Sequence, residues 1–252
     1  MRYHYFHLIK EIALSDFKLR YHGSWLGVLW SFLKPLLMFG VLFLVFSVFI
    51  RFDTEHYALY LLLGIILWNF FAEATTLSLN GLDQKAPLIK KIAFPRTIII
   101  VSSTLTALLS FLFNIIVFAL FFTFSGLSPS RTILLVPVFV VELYFIALGA
   151  SFLISALYAK FRDIRHIWEI LLQLGFWLTP IIYPIGLVPQ AFSWSIYLNP
   201  LTRVIQYSRE AILQSRVSNL DGMAALFLMT VTVFFAGYFV FKKRSPYFAE
   251  EL

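Results

Sequence analysis

The chain contains no cysteine, which excludes disulfides and thiolate-held metals. Charge is scarce. Asp, Glu, Lys and Arg make up 13% of residues, against about 25% in a soluble domain. The pattern G-x-x-x-x-G-K-[ST] is missing, so no P-loop cradles a nucleotide phosphate. H-E-x-x-H is also missing, and the five histidines (His4, His7, His22, His56 and His166) are scattered. No carboxylate pair shares a face, so an intramembrane glycosyl- or acyltransferase lacks its acid and base. No soluble basic face exists for a nucleic acid. An uninterrupted apolar leader is lacking too, because Lys10, Glu11, Asp16 and Lys18 break the first twenty residues. The N-terminus is therefore expected to be retained. Neither an internal repeat nor a low-complexity tract is visible, so residues 1–252 read as one domain.

What is present is apolar surface. Of 252 residues, 60% are hydrophobic, and the mean hydropathy is +0.85. A water-soluble core cannot absorb that much, so the chain reads as an all-α, multi-pass membrane protein. Six windows approach the ~20 apolar residues of a spanning helix: Trp30–Ile50, Tyr57–Leu79, Ile98–Phe124, Thr132–Tyr158, Ile167–Ile182 and Met223–Phe241. The fifth is short and ends among Pro180 and Pro184. Before them, Tyr3–His22 reads as an amphipathic interfacial helix, with Phe6, Ile9, Ala13 and Phe17 on one side.

Charge placement sets the orientation. Arg2, Lys10, Lys18, Arg20 and Lys34 precede or open the first window. Lys85, Lys90, Lys91 and Arg96 lie between the second and third. Lys160, Arg162 and Arg165 follow the fourth, and Lys242, Lys243 and Arg244 follow the sixth. These are fifteen of the twenty basic residues. The remaining five, Arg51, Arg131, Arg203, Arg209 and Arg216, fall on the other side. The positive-inside rule then puts both termini in the cytoplasm. Glu142 sits within the fourth window and Glu73 toward the cytoplasmic end of the second. Both suit polar anchoring between helices, or for Glu142 a protonated carboxyl, better than a proton relay.

The run Arg20-Tyr21-His22-Gly23-Ser24-Trp25-Leu26-Gly27-Val28-Leu29-Trp30, followed by Pro35, resembles the N-terminal signature of one group. That group is the membrane subunits of ATP-binding-cassette polysaccharide exporters, and the match favours the O-antigen type over its capsule and teichoic-acid relatives. The resemblance implies an interfacial helix and lead-in over 1–29, carrying Arg20, Tyr21, Gly23, Trp25, Gly27 and Trp30, then a six-helix channel-forming part over 30–252. On a helix, Gly23 and Gly27 would share one bare face open to a close neighbour. The resemblance also implies a homodimer joined by two copies of a separate ATPase subunit. ATP and magnesium would sit on that partner, with no cofactor on this chain, and the substrate would be a lipid-linked polysaccharide at the cytoplasmic membrane. A passive lipid or glycolipid channel, or a scramblase, is the alternative, with an intramembrane glycosyl- or acyltransferase ranked below it.

Three segments stand out for function. Lys85, Pro87, Leu88, Ile89, Lys90, Lys91, Phe94, Pro95 and Arg96 form a short basic connection with too many apolar residues for a solvated loop. It docks either on the membrane surface or in a partner's cleft; the resemblance implies the coupling helix that the ATPase grips. Arg162, Asp163 and Arg165 form a second cytoplasmic turn, either a snorkelling cluster or another ATPase contact, and Arg165 could pair with Glu169. Between the fifth and sixth windows, Pro184, Pro189, Asn199, Pro200 and Arg203 punctuate a stretch too apolar for a free loop. Leu201, Val204, Ile205 and Ile212 make one face of a helix there, and Arg203, Gln206, Arg209 and Glu210 another. It reads as a surface helix or as two re-entrant helices; the resemblance implies re-entrant helices forming an external gate. Finally, 19% of residues are aromatic. Phe32, Phe39, Phe43, Phe46, Trp177 and Tyr183 are candidates to line a channel on which sugar rings slide, with core or lipid contact as the plainer use.

Overall fold

The computed structural model of the chain describes residues 2–52, 54–87 and 95–248. Among these the regular structure is all helical, without strands. The main helices are α1 (Arg2–Tyr21), α2 (Trp30–Phe43), α3 (Tyr57–Gln84), α4 (Thr97–Phe124), α5 (Val136–Lys160), α6 (Ile164–Leu178), α7 (Gln190–Ile196), α8 (Pro200–Leu213) and α9 (Leu220–Arg244). Five continuous helical stretches are long and apolar enough to cross a membrane: Gly27–Phe49, Tyr57–Gln84, Thr97–Phe124, Arg131–Lys160 and Leu220–Tyr247.

The fifth window behaves differently from a plain span. Its helix, α6, stops at Leu178 after 15 residues. At 1.5 Å per residue that is about 22 Å, short of the ~30 Å hydrocarbon layer. The stop has a local cause. Pro180 cannot continue the helical hydrogen-bond ladder, and Thr179 has already turned to an extended conformation.

α3 is the axis of the bundle, buried along most of its length, with α4, α5 and α8 packed around it. Phe70 meets Phe111 of α4 with ring centroids 5.0 Å apart. α5 and α9 cross at two glycines. A Cβ on Gly149 would lie 2.6 Å from the Phe234 Cα, and one on Gly237 would meet the Gly149 backbone. Only a bare backbone on both sides permits that approach. Pro35 lies inside α2 and frees the carbonyl of Ser31 four residues earlier. That carbonyl accepts from Asn114 Nδ2 of α4 at 3.1 Å, so the break in the ladder is closed by a neighbouring helix.

α1 docks on the bundle. Ala13 is buried, its carbonyl accepts from the Thr106 hydroxyl at 3.2 Å, and Phe17 stacks on Phe113 at 6.0 Å. Phe6 and Leu19 remain exposed. The link from α1 to α2 corrects one expectation. Gly23 (φ 75°) and Gly27 (φ 51°) both adopt left-handed backbone in a turn, with nothing within 4 Å of a built Cβ. They serve a turn that L side chains resist, not a bare helix face. Between them Trp25 is 97% exposed.

Candidate functional site

Functional candidates gather at two ends of the bundle and along one side. The first end carries the basic segments. Asp83, in the last turn of α3, accepts from Arg165 Nη2 at 3.0 Å and Arg162 Nη1 at 3.3 Å. Both guanidiniums lie over the Tyr158 ring, 5.1 and 5.3 Å from its centroid. The bond to Asp83 raises the Arg165 pKa above its ordinary value against the opposing effect of burial. Thus the turn between α5 and α6 is tied to α3 through Arg165 and Asp83, while Glu169 lies 3.8 Å from His166 Nδ1. Lys85 pairs with Asp16 of α1, and Arg96 donates to the Ser245 carbonyl beyond α9. Pro87 and Pro95 are exposed. Leu88, Ile89, Lys90, Lys91 and Phe94 lie outside the described residues. The flanks of that segment are therefore linked to α1, to the α5–α6 turn and to the end of α9.

Along the side, α3 shows polar residues at Asn69, Glu73, Thr76 and Asn80, spaced four, three and four. That spacing keeps them on one helix face. With Arg20, Trp30, Lys34 and Met38 they line a cavity of about 440 Å³ between α2 and α3. Met38 and Asn69 also line an adjoining cleft of about 310 Å³ that reaches Trp68, Gln173 and Trp177. Together these form an open groove bounded by α2, α3 and α6. On its wall Arg20 pairs with Glu73, which also accepts from the Ser110 hydroxyl at 2.9 Å. Burial lowers the Arg20 pKa, and Glu73 more than restores it. Lys34 is exposed on the groove wall.

Of the six aromatic candidates, Trp177 stands on this groove and is 54% exposed. Phe39 is buried, edge-on to Phe121 at 5.7 Å. Phe43 stacks on Tyr57 at 6.3 Å and Phe46 on Phe52 at 5.5 Å. Phe32 is half-buried. Phe39, Phe43 and Phe46 are thus engaged by their own chain, because a face repeating at helical spacing is also the face that packs. Tyr183 belongs to the far end and donates to the Leu178 carbonyl at 3.0 Å. The open wall of the groove is polar. Asn69, Thr76, Asn80 and Gln173 escaped the sequence reading, although the four-three-four spacing inside an apolar window was there to be seen.

At the far end, the chain leaves α6 through a turn of irregular backbone. Four consecutive carbonyls there each accept from a side chain. Pro180 O takes Arg209 Nη1 at 2.7 Å, and Ile181 O takes Arg209 Nη2 at 2.7 Å. Ile182 O takes the Tyr57 hydroxyl at 3.0 Å, and Tyr183 O takes the Tyr60 hydroxyl at 3.1 Å. Asn199 accepts from Leu201 N and donates to Thr179 Oγ1, each at 3.0 Å. With Pro200 in the first turn, that is a strong helix start. Arg203 donates to the Tyr197 carbonyl at 2.7 Å and to the Tyr207 hydroxyl at 2.9 Å. Pro184 is half-buried and Pro189 exposed. Phe192, Trp194 and Leu198 project apolar surface outward. On the polar face of α8, Gln206 and Arg209 are buried, with Arg209 only 1% exposed. Both faces of α8 are covered, and Arg209 points to the carbonyls of the turn that need donors.

Glu142 lines an apolar cleft of about 570 Å³ between α5 and α9, with Val138, Val141, Phe145, Phe227 and Thr230. Glu73, by contrast, is anchored by α1 and α4 as described above.

Residues 7–213 match the model of the family described as ABC-2 type transporter. The chain is 32% identical over 248 residues to an O-antigen export system permease protein RfbA of Klebsiella pneumoniae, covering 98% of this chain and 95% of the relative. An O-antigen export system permease protein RfbA of Myxococcus xanthus is 27% identical over 252 residues, covering 99% and 97%. The polysialic acid transport protein KpsM of Escherichia coli is 23% identical over 243 residues, covering 94% and 93%.

Proposed function

The chain belongs to the ABC-2 type transporter family, and on that premise we propose that it is the membrane subunit of an ATP-driven exporter of lipid-linked polysaccharide, of the O-antigen type, in the cytoplasmic membrane. It is a permease and not an enzyme, in keeping with relatives named as permease and transport proteins.

The observation that carries this reading is the polar stripe of Asn69, Glu73, Thr76 and Asn80 on the most enclosed apolar helix, opening with Lys34 and Gln173 on one groove. Amides and hydroxyls exchange hydrogen bonds with sugar hydroxyls without demanding one pattern, and Trp177 offers a flat ring at the groove's far part. Two copies of this chain facing each other across their grooves would enclose a path. Each copy would bind one ATPase subunit, where ATP and magnesium reside.

In this reading the chain crosses the membrane six times with both termini in the cytoplasm. The charge distribution supports it, since the basic end holds Lys85, Arg96, Arg162, Arg165 and the Lys242–Arg244 run. α6 and the turn after it make the fifth crossing. α7 and α8 dip from the outside and return, forming the outer closure. α1 lies at the inner interface. The ATPase grips residues 85–96, and its displacement reaches α1 through Asp16–Lys85 and α6 through Asp83 with Arg162 and Arg165.

The test is transport in vesicles that contain this chain and its ATPase partner. Deleting residues 87–94 abolishes ATP-dependent movement of a lipid-linked polymer. Unchanged transport after the deletion removes the coupling role, and transport that persists without the ATPase or ATP makes the chain a passive conduit.

A further inference from the structure

We propose that Arg209 is a positioning residue for the outer closure: it clamps the turn after α6 between α3 and α8, so that the outer segment is carried as one body with the outer turn of α3. This rests on reading the far end as the external side of the conduit.

Backbone carbonyls outside a helix must find donors. Residues 180–183 are not helical, and irregular backbone at membrane depth survives only where protein or water satisfies it. Here side chains do so, from two helices. Tyr57 and Tyr60 reach from α3, and Arg209 reaches from α8. Arg209 joins the turn and α3 to α8 through one side chain. Its Nε and Nη2 also donate to the Tyr60 carbonyl of α3 at 3.1 and 2.9 Å, and its Cζ lies 3.3 Å from the centre of the Tyr60 ring.

Taking a cation out of water is costly, so the stability that Arg209 brings by bonding these carbonyls is partly offset by its own desolvation. Among the described residues no carboxylate lies within ion-pairing distance of it; the adjacent Glu210 accepts from Ser218 at 2.6 Å instead. What the guanidinium supplies is geometry. A planar fork with five N–H donors can serve three carbonyls held at fixed angles, which a single ammonium cannot do equally. Room for it is made on α3, where a Cβ on Gly64 would lie 2.5 Å from Nη2. A clamp joining the turn to α3 leaves α6, below its break at Thr179, free to shift without dragging the outer closure open.

The test uses the assembled permease–ATPase complex in vesicles loaded with a small anionic dye. Without ATP, the dye reads whether the outer closure is seated. Arg209→Lys and Gly64→Ala reach the same clamp from opposite sides. Each is expected to speed resting dye leakage about tenfold, the scale set by losing one charge-assisted hydrogen bond. Tyr57→Phe removes one carbonyl partner and leaks less than either. Wild-type leakage in both Arg209→Lys and Gly64→Ala complexes, even with a lowered thermal midpoint, assigns Arg209 to fold stability alone and overturns the proposal. Failure of the wild-type complex to export polymer refutes the transport reading, whereas the leak comparison still decides the clamp.

Discussion

Removing the Asp83 carboxylate tests how motion leaves the basic end. In Asp83→Ala, Arg162 and Arg165 both lose their partner at the end of α3. Asp83 is 40% exposed and its partners 46% and 32%, so each pair is worth only the 0.2–1 kcal/mol or so of a surface ion pair. The two together contribute about 1 kcal/mol. The arginines keep their contact with Tyr158, at 5.3 and 5.1 Å from its ring, which holds the loss near that figure. Folding stability should therefore fall by only about 1 kcal/mol. If the same pairs carry displacement from α3 to α6, the populations of the linked positions shift by a similar energy, about fivefold. The assay measures polymer moved and ATP hydrolysed by the same vesicles. The expected result is a near-normal thermal midpoint, near-normal hydrolysis, and transport per ATP reduced about fivefold. Asp83→Arg with Arg165→Asp should recover much of it. An unchanged ratio in Asp83→Ala, or equal loss of hydrolysis and transport with no recovery in the swap, refutes transmission through these pairs.

Other consequences follow from packing and polarity. Replacing Asn69 and Asn80 with Leu leaves the α3 packing in place but strips amides from the groove; polymer transport should drop about tenfold, the size of one lost hydrogen-bonding contact or two, while ATP hydrolysis continues. Gly149→Leu forces a side chain into the Phe234 backbone at the α5–α9 crossing. Neither partner can yield, so a loss of at least about 1–3 kcal/mol is expected, read as a lowered thermal midpoint of the purified chain, whereas Gly126→Ala, in open space at φ 76°, should cost only the strain of a left-handed alanine, about 1–2 kcal/mol.

Much of the architecture could be read in advance because bilayer physics is one-dimensional. Apolar run length marks a helix, and Tyr57–Gln84 and Thr97–Phe124 extend the second and third windows by only a few residues. Pro180 foretold the stop of α6. Side-chain use was less legible. Phe39, Phe43 and Phe46 lie at helical spacing whether they face a path or a neighbour, and only α4, Tyr57 and Phe52 decide that they are covered. Gly23 and Gly27 share a spacing that fits a helix face, yet their φ angles belong to a turn. Arg209 shares a polar helix face with Arg203, Gln206 and Glu210 in the sequence, yet it is 1% exposed.

The amino-acid order alone determined that this chain lives in a membrane, where its long helices run and which end is basic, because composition and run length act locally against the solvent. Tertiary packing decided which polar groups face the groove and which face inward. Hydrogen-bond demand is created by distant backbone, such as the carbonyls of residues 180–183, and is met by whichever donors the fold brings within 3 Å or so, here from α3 and α8.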